Sequence, residues 1–198
     1  MSQKYLSTDQ RRSHTVEAVI ALAGQQNPDN ITTAIIAAHM GLTQGALFRH
    51  FPSKEAIWQA VMEWVANNLL DRIDRAAEGA RSPLDALEAT FFSHVDFAIE
   101  HPGIPRMIFG ELQRTEATPA KKITRNLMKN YVKRITHWLE KAKETGDIST
   151  DLDTRAAALL LIGTVQGLVM QSLLFGNIKY IRQDAEGTFK IYKRGIVR

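Results

Sequence analysis

Residues Thr32–Lys54 read TTAIIAAHMGLTQGALFRHFPSK. Two threonines open a small apolar run, Ala34-Ile35-Ile36-Ala37-Ala38, which breaks at Gly41 and restarts at Thr43. Threonine favours helix starts and glycine favours helix ends, so the pattern predicts two short helices joined at a glycine. Ile36, Met40, Leu42, Leu47 and Phe51 are spaced to bury one shared seam at a steep crossing. Thr43, Gln44, Gly45, Phe48, Arg49 and His50 are left on the outer side of the second helix. That is the outline of a helix-turn-helix whose second helix enters the major groove of DNA. From Asn30 to Lys54 there is no Asp or Glu, while Arg49, Lys54 and two histidines are present. An acid-free surface suits a polyanionic partner.

Within the second helix, Gln44 is the candidate base reader, because its amide can pair with adenine through two hydrogen bonds. Gly45 and Ala46 keep the helix slim enough to approach the groove. Thr43 is the expected cap, with a phosphate as its other possible partner. Arg49 fits a guanine, a phosphate or plain solvent. Lys54, opening the next helix, joins a cation to free backbone N–H groups that favour phosphate.

The stretch resembles the DNA-binding domain of the tetracycline-repressor (TetR) family of bacterial transcriptional regulators. The matching residues are Ile31-Thr32-Thr33, Ile36-Ala37, Gly41-Leu42-Thr43, Gly45 through Phe51, and Pro52-Ser53-Lys54-Glu55-Ala56. The likeness covers roughly residues 8–62. It implies that His50 contacts the DNA backbone and that Thr33 meets a phosphate. Two positions depart from the family pattern. Phe48 stands where a tyrosine is usual, which removes a hydroxyl contact to phosphate, and His39-Met40 replaces a charged residue followed by alanine. The resemblance further implies a helix of about 54–78 linking the DNA-binding head to a regulatory body, and a four-helix dimer interface from the last two long helices.

Composition sets outer limits. The chain has 198 residues with 44% hydrophobic and 23% charged content, ordinary for a soluble globular protein. Net charge is +4, and residues 1–54 hold Lys4, Arg11, Arg12, Arg49 and Lys54 against Asp9, Glu17 and Asp29. Basic character is therefore denser at the N-terminal end. The absence of cysteine excludes disulfides, thiol nucleophiles and Cys-based zinc sites, and fits a cytoplasmic location. MSQKYLSTDQRR lacks the apolar core of a signal peptide. No Gly-rich phosphate loop, HExxH or GxSxG is present, so no enzyme activity and no cofactor is expected.

In chain order, Ser7-Thr8-Asp9-Gln10 forms a capping box for a first helix whose apolar stripe is Val16, Val19, Ile20 and Ala23. Arg11, Arg12 and His14 near its start are either phosphate contacts or solvated charges. Asn27-Pro28-Asp29-Asn30 is a turn. Ser53 caps a long helix to about Glu78, buried through Ile57, Ala60, Val61, Trp64, Val65, Leu69 and Ile73. Gly79 to Pro83 then closes it, with Ser82 capping the next helix. Further helices are expected at Pro83–Glu100, about Ile104–Arg114, Thr118–Glu144, Asp153–Phe175 and Gln183–Ile196. The fold class is all-α, with a three-helix DNA-binding head at 1–54 and an effector-binding, dimerising body at 55–198.

An effector pocket in that body would suit an apolar or aromatic molecule, with Phe91, Phe92, His94, Phe97, Met107, Phe109, Tyr131, Trp138 and Met170 as candidates, although core is the better reading of any one of them taken singly. His94, Asp96 and His101 do not make a metal site, because only the two histidines share a helix face. Ala156–Phe175 carries no charge over 20 residues, long enough to span a bilayer. Thr164, Gln166, Gln171 and Ser172 break its apolar surface at almost every turn, which favours a helix buried on most sides over a membrane span. Gly163 and Gly167 let a second helix come close. The expected dimer interface is Leu160, Gly163, Gly167, Met170, Leu174, Phe189 and Tyr192. The partners are thus a double-stranded DNA operator, a second copy of the chain and a small effector, with no membrane.

Overall fold

The computed structural model describes residues 7–197; Lys4, counted above among the N-terminal cations, lies outside them. Nine α-helices are present among the described residues: α1 (Thr8–Gln25), α2 (Thr33–His39), α3 (Gln44–Phe48), α4 (Lys54–Glu78), α5 (Pro83–Glu100), α6 (Gly103–Gln113), α7 (Pro119–Glu144), α8 (Thr154–Leu174) and α9 (Ile181–Ile196). Their ends follow local capping chemistry. Ser7 and Gln10 form the reciprocal capping box of α1. Thr32, Thr43, Ser53, Ser82, Thr118 and Asp153 each accept a backbone N–H three residues on. Gly41 closes α2 at φ 65°, where the N–H of Leu42 reaches the carbonyl of Ala37 and that of Gly41 reaches Ala38. This two-bond C-cap needs a left-handed residue, and a side chain there would be strained.

The helices divide into two compact units. The first comprises residues up to Ala66 together with His101–Thr124. In it α1 packs against α2 and α6, and α2 against α3. Val19, Ala23, Ile31, Ile36, Leu47, Phe51, Ile57 and Val61 form its core, all essentially closed to solvent. The second unit comprises Asn67–Glu100 and the chain from Arg125 onward. There α5, α8 and α9 pack on one another around Phe91, Tyr131, Ile135, Leu161, Val165 and Phe189. The division differs from the expected boundary at residue 54. The first half of α4 and all of α6 belong with the helix-turn-helix.

Gly103 explains why α6 belongs there. A Cβ at this position would lie 2.3 Å from the Ile20 carbonyl oxygen and 2.7 Å from the Gly24 nitrogen. Only a bare Cα lets the start of α6 lie this close to α1. Arg106 adds a hydrogen bond of 3.3 Å to the Gly24 carbonyl.

In the second unit, the Tyr131 hydroxyl lies 3.2 Å from His94 Nδ1. Burial pushes the Tyr131 phenol up and holds the His94 imidazole down at about 4. Both groups are therefore neutral near pH 7, joined by one hydrogen bond between the hydroxyl and Nδ1. Among the described residues, four ion pairs cross between helices: Arg72–Glu100, Arg134–Asp74, Arg182–Asp96 and Lys193–Glu88.

Helix α8 is long and apolar enough to cross a membrane by length and composition. One side of it, through Ala157, Ala158, Leu161, Ile162, Val165 and Val169, is core of the second unit. The other side leaves Leu160, Gly163, Gln166, Gly167, Met170 and Leu174 exposed.

Candidate nucleic-acid interface

The recognition segment is held from behind and open in front. Leu47 and Phe51 are buried and fix it to the core of the first unit, while Gln44, Gly45, Phe48 and Arg49 are exposed. Helix α3 is short, ending at Phe48; Arg49 and His50 lie in the turn that follows. Nothing lies within 4 Å of a Cβ built on Gly45, so the helix surface there is free to approach a groove. Phe48 presents an exposed ring, which suits the methyl group of thymine.

The Thr43 hydroxyl accepts from the Ala46 N–H at 3.2 Å, so the cap role is occupied while its own proton remains free to donate. Gln44 is not a loose side chain. Its Nε2 donates to Thr33 Oγ1 at 2.7 Å, joining the candidate base reader on α3 to the candidate phosphate contact on α2. One amide hydrogen is thereby used. The second hydrogen and Oε1 remain for adenine N7 and N6, and the Thr33 O–H remains for a phosphate.

Replacing Gln44 by Ala is expected to cost about 1–3 kcal/mol of discrimination at one base position per half-site. Thr33→Val should lower discrimination at that same position, and the double variant should lose little beyond Gln44→Ala alone. Operator and random-sequence titrations of the three variants decide it. Equal weakening of both DNAs by Thr33→Val would reduce that residue to a phosphate contact.

Arg12 has a role other than the two considered from the sequence. Its guanidinium donates to the His50 carbonyl at 2.7 Å and lies 4.3 Å above the Phe51 ring. It braces α1 against the turn that carries His50. Among the described residues, His50 Nδ1 is buried without a hydrogen-bond partner.

Lys54 Nζ lies 4.7 Å above Trp58 and 3.4 Å from the Asp29 carbonyl. Partial burial lowers its pKa, with Asp29 and Glu55 opposing. Lys54, Trp58, Glu111 and Arg114 border a small, partly open cleft of about 30 Å³. No spacing rule links these partners, so neither the Arg12 brace nor the Gln44–Thr33 bond was visible in the sequence.

The other candidate sites fare unevenly. Of the nine proposed pocket residues, Met107 and Phe109 belong to the first unit and the other seven to the second. Phe91 is packed at 5.3 Å from Phe92 and 5.0 Å from Phe189, and Phe97 is buried. Met170 is on the exposed side of α8 and Trp138 is capped by Lys141 at 4.8 Å. Of the expected interface residues, Phe189 and Tyr192 turn inward. Tyr192 donates to the Ala157 carbonyl at 3.1 Å, and the large hydrophobic residue exposed on α9 is instead Ile191. The inward direction is set by packing on α5 and α8, which the apolar spacing of α9 does not specify.

Known proteins resemble the chain in both sequence and fold. The model for bacterial regulatory proteins of the tetR family matches residues 16–61, and that for the tetracyclin repressor-like C-terminal domain matches residues 112–186. The nucleoid occlusion factor SlmA of Idiomarina loihiensis is 34% identical over 101 residues, spanning 51% of this chain and about half, 52%, of that protein. The nucleoid occlusion factor SlmA of Photobacterium profundum is 26% identical over 171 residues, covering 86% of this chain and 87% of its own. The fold is similar to that of the transcriptional regulator FadR from Bacillus subtilis in complex with stearoyl-CoA, with TM-score 0.74 and 16% identity over 88% of this chain and 95% of that one. With one family model on the helix-turn-helix and another on the helices that follow it, this DNA-binding chain belongs to the tetR family of bacterial regulatory proteins.

Proposed function

We propose that the protein is a homodimeric transcriptional repressor that reads a pseudo-palindromic operator and is released from it by a small, largely apolar effector. The observation that carries the DNA reading is the exposed α3 surface, with Gln44 tied to Thr33 and no carboxylate from Asn30 to Lys54. Dimerisation is supported by the outer side of α8. Leu160, Gly163, Gly167, Met170 and Leu174 recur there every three or four residues, all exposed, with Ile191 exposed on α9. Two-fold symmetry would place two α3 helices roughly 34–36 Å apart, or a multiple of that, on half-sites of an inverted repeat. The effector would act by binding more tightly to a dimer with the wrong head spacing. Its apolar character is supported by the aromatic content of α5 and by the fold shared with a regulator that holds stearoyl-CoA.

A second reading keeps the fold and the DNA surface but places control in a protein partner or in DNA organisation itself. Two observations favour it: both of these relatives are nucleoid occlusion factors, and Phe91 and Phe97 are tightly packed. Fluorescence anisotropy on a genomic fragment library, with and without a panel of apolar metabolites, separates the readings. A selective, salt-sensitive complex dissolved by one compound is the expected result. Selective binding that no compound alters would move control to a partner, and no preference over random DNA would end the operator reading.

A further inference from the structure

The criterion that singled out the recognition segment, a long acid-free run carrying cations, also selects a stretch that the proposed function does not use. Residues 117–139 contain no Asp or Glu and hold Lys121, Lys122, Arg125, Lys129, Lys133 and Arg134. Asn30–Lys54, of similar length, holds two Lys or Arg. Within the second unit, Arg125, Lys129 and Lys133 recur every four residues of α7, and all three are exposed. They follow one another at about 6 Å along the helix axis, a line of about 12 Å.

Several other cations of the same unit are held in ion pairs. Arg72, Arg134, Arg182 and Lys193 are each paired to a carboxylate on another helix. Among the described residues, Arg125, Lys129 and Lys133 have no carboxylate within ion-pair distance, so their charge is directed outward.

We infer that this face of α7 is a second DNA-binding surface, gripping duplex phosphates without reading bases. It does not depend on how α3 reads sequence. The exposed side chains of α7 beside them include Asn126, Asn130 and His137, types able to hydrogen-bond phosphate and sugar oxygens. A helix that lies on a membrane carries large apolar groups beside its cations, and a protein interface is centred on buried aromatic or aliphatic anchors. No large exposed hydrophobic residue occurs on α7. A uniform cationic line without an apolar anchor matches duplex DNA, which presents one phosphate per about 1.7 Å of axis.

The test replaces Arg125, Lys129 and Lys133 together with Gln, a good helix former, in the full chain. A random-sequence duplex is titrated between about 50 and 200 mM salt. Three lost phosphate contacts should flatten the slope of log affinity against log salt by about 2 to 3. The ratio of operator to random-DNA affinity should stay constant, and far-UV circular dichroism should be unchanged. A control triple variant at other exposed or partly exposed cations, Arg75→Gln, Arg81→Gln and Lys143→Gln, should keep the wild-type slope.

An unchanged slope in the α7 variant, or an equal loss in the control, overturns the proposal while leaving the α3 reading intact. A wild-type protein that binds no duplex at any salt overturns both. Loss of binding to phosphatidylserine-containing vesicles with an unchanged DNA slope would assign the face to a membrane and overturn the DNA assignment.

Discussion

Replacing Leu160 and Met170 with Glu is expected to turn the protein into a monomer and weaken operator binding by about 10²–10⁴-fold, the range that two linked sites gain over one. Both side chains lie on the open side of α8, 59% and 49% exposed, so the substitutions leave the protomer core untouched. Gly163 and Gly167 lie between them on the same side, and nothing lies within 4 Å of a Cβ built on either. Within one protomer these glycines fill no packing role, which accords with a second helix closing onto them. A glutamate buried at such a contact would be an unpaired charge, far more costly than the apolar contact it replaces. Light scattering with size exclusion reads the mass, and anisotropy reads the affinity. A variant that stays dimeric would move the interface elsewhere. A monomer with full operator affinity would show that one half-site suffices.

The second large effect is on stability. Gly103→Ala places a methyl group against the Ile20 carbonyl and the Gly24 nitrogen, at distances of 2.3 and 2.7 Å that no real contact adopts. The obstacles are backbone atoms, so no rotamer change relieves the clash, and α6 must shift off α1. Overpacking costs about 1–3 kcal/mol where side chains can adjust, and the cost here should sit at or above the top of that range. For a chain of this size the melting temperature should fall by roughly 6–12 °C, at about 2–4 °C per kcal/mol. Gly24→Ala is the matched control. Its Cβ would meet Pro102 at 3.5 Å and Gly103 at 3.7 Å, ordinary contact distances. Its melting temperature should change little. Equal melting temperatures for Gly103→Ala and the unsubstituted protein would mean that α6 does not lie this close to α1.

Helix positions were readable from the sequence because the signals that end a helix are local. Ser7 with Gln10, Thr43, Ser82, Thr118 and Asp153 each satisfy a backbone group three residues away, a distance the sequence states directly. The helix-turn-helix was readable for the same reason, since Gly41 and the cap at Thr43 define the joint. The exposed side of α8 was also legible, because Leu160, Gly163, Gly167, Met170 and Leu174 keep one helical period and the small residues fall within it.

Tertiary structure decided what depends on partners distant in sequence. Periodicity shows that α9 has apolar sides but not which one turns inward; packing on α5 and α8 selects Phe189 and Tyr192 and leaves Ile191 outside. The same spacing cannot tell an aromatic that lines a pocket from one pressed against another ring, as Phe91 is against Phe189. Arg12 meets His50 across 38 residues, and Gln44 meets Thr33 across 11. Gly103 has no signature at all until α1 is seen against it. Caps, turns and helical period are short-range constraints written along the chain, so the sequence alone determined the helices of the described residues and the joint of the helix-turn-helix. The direction of each side chain is chosen by the packing of surfaces that meet only after folding, and that choice belonged to the tertiary structure.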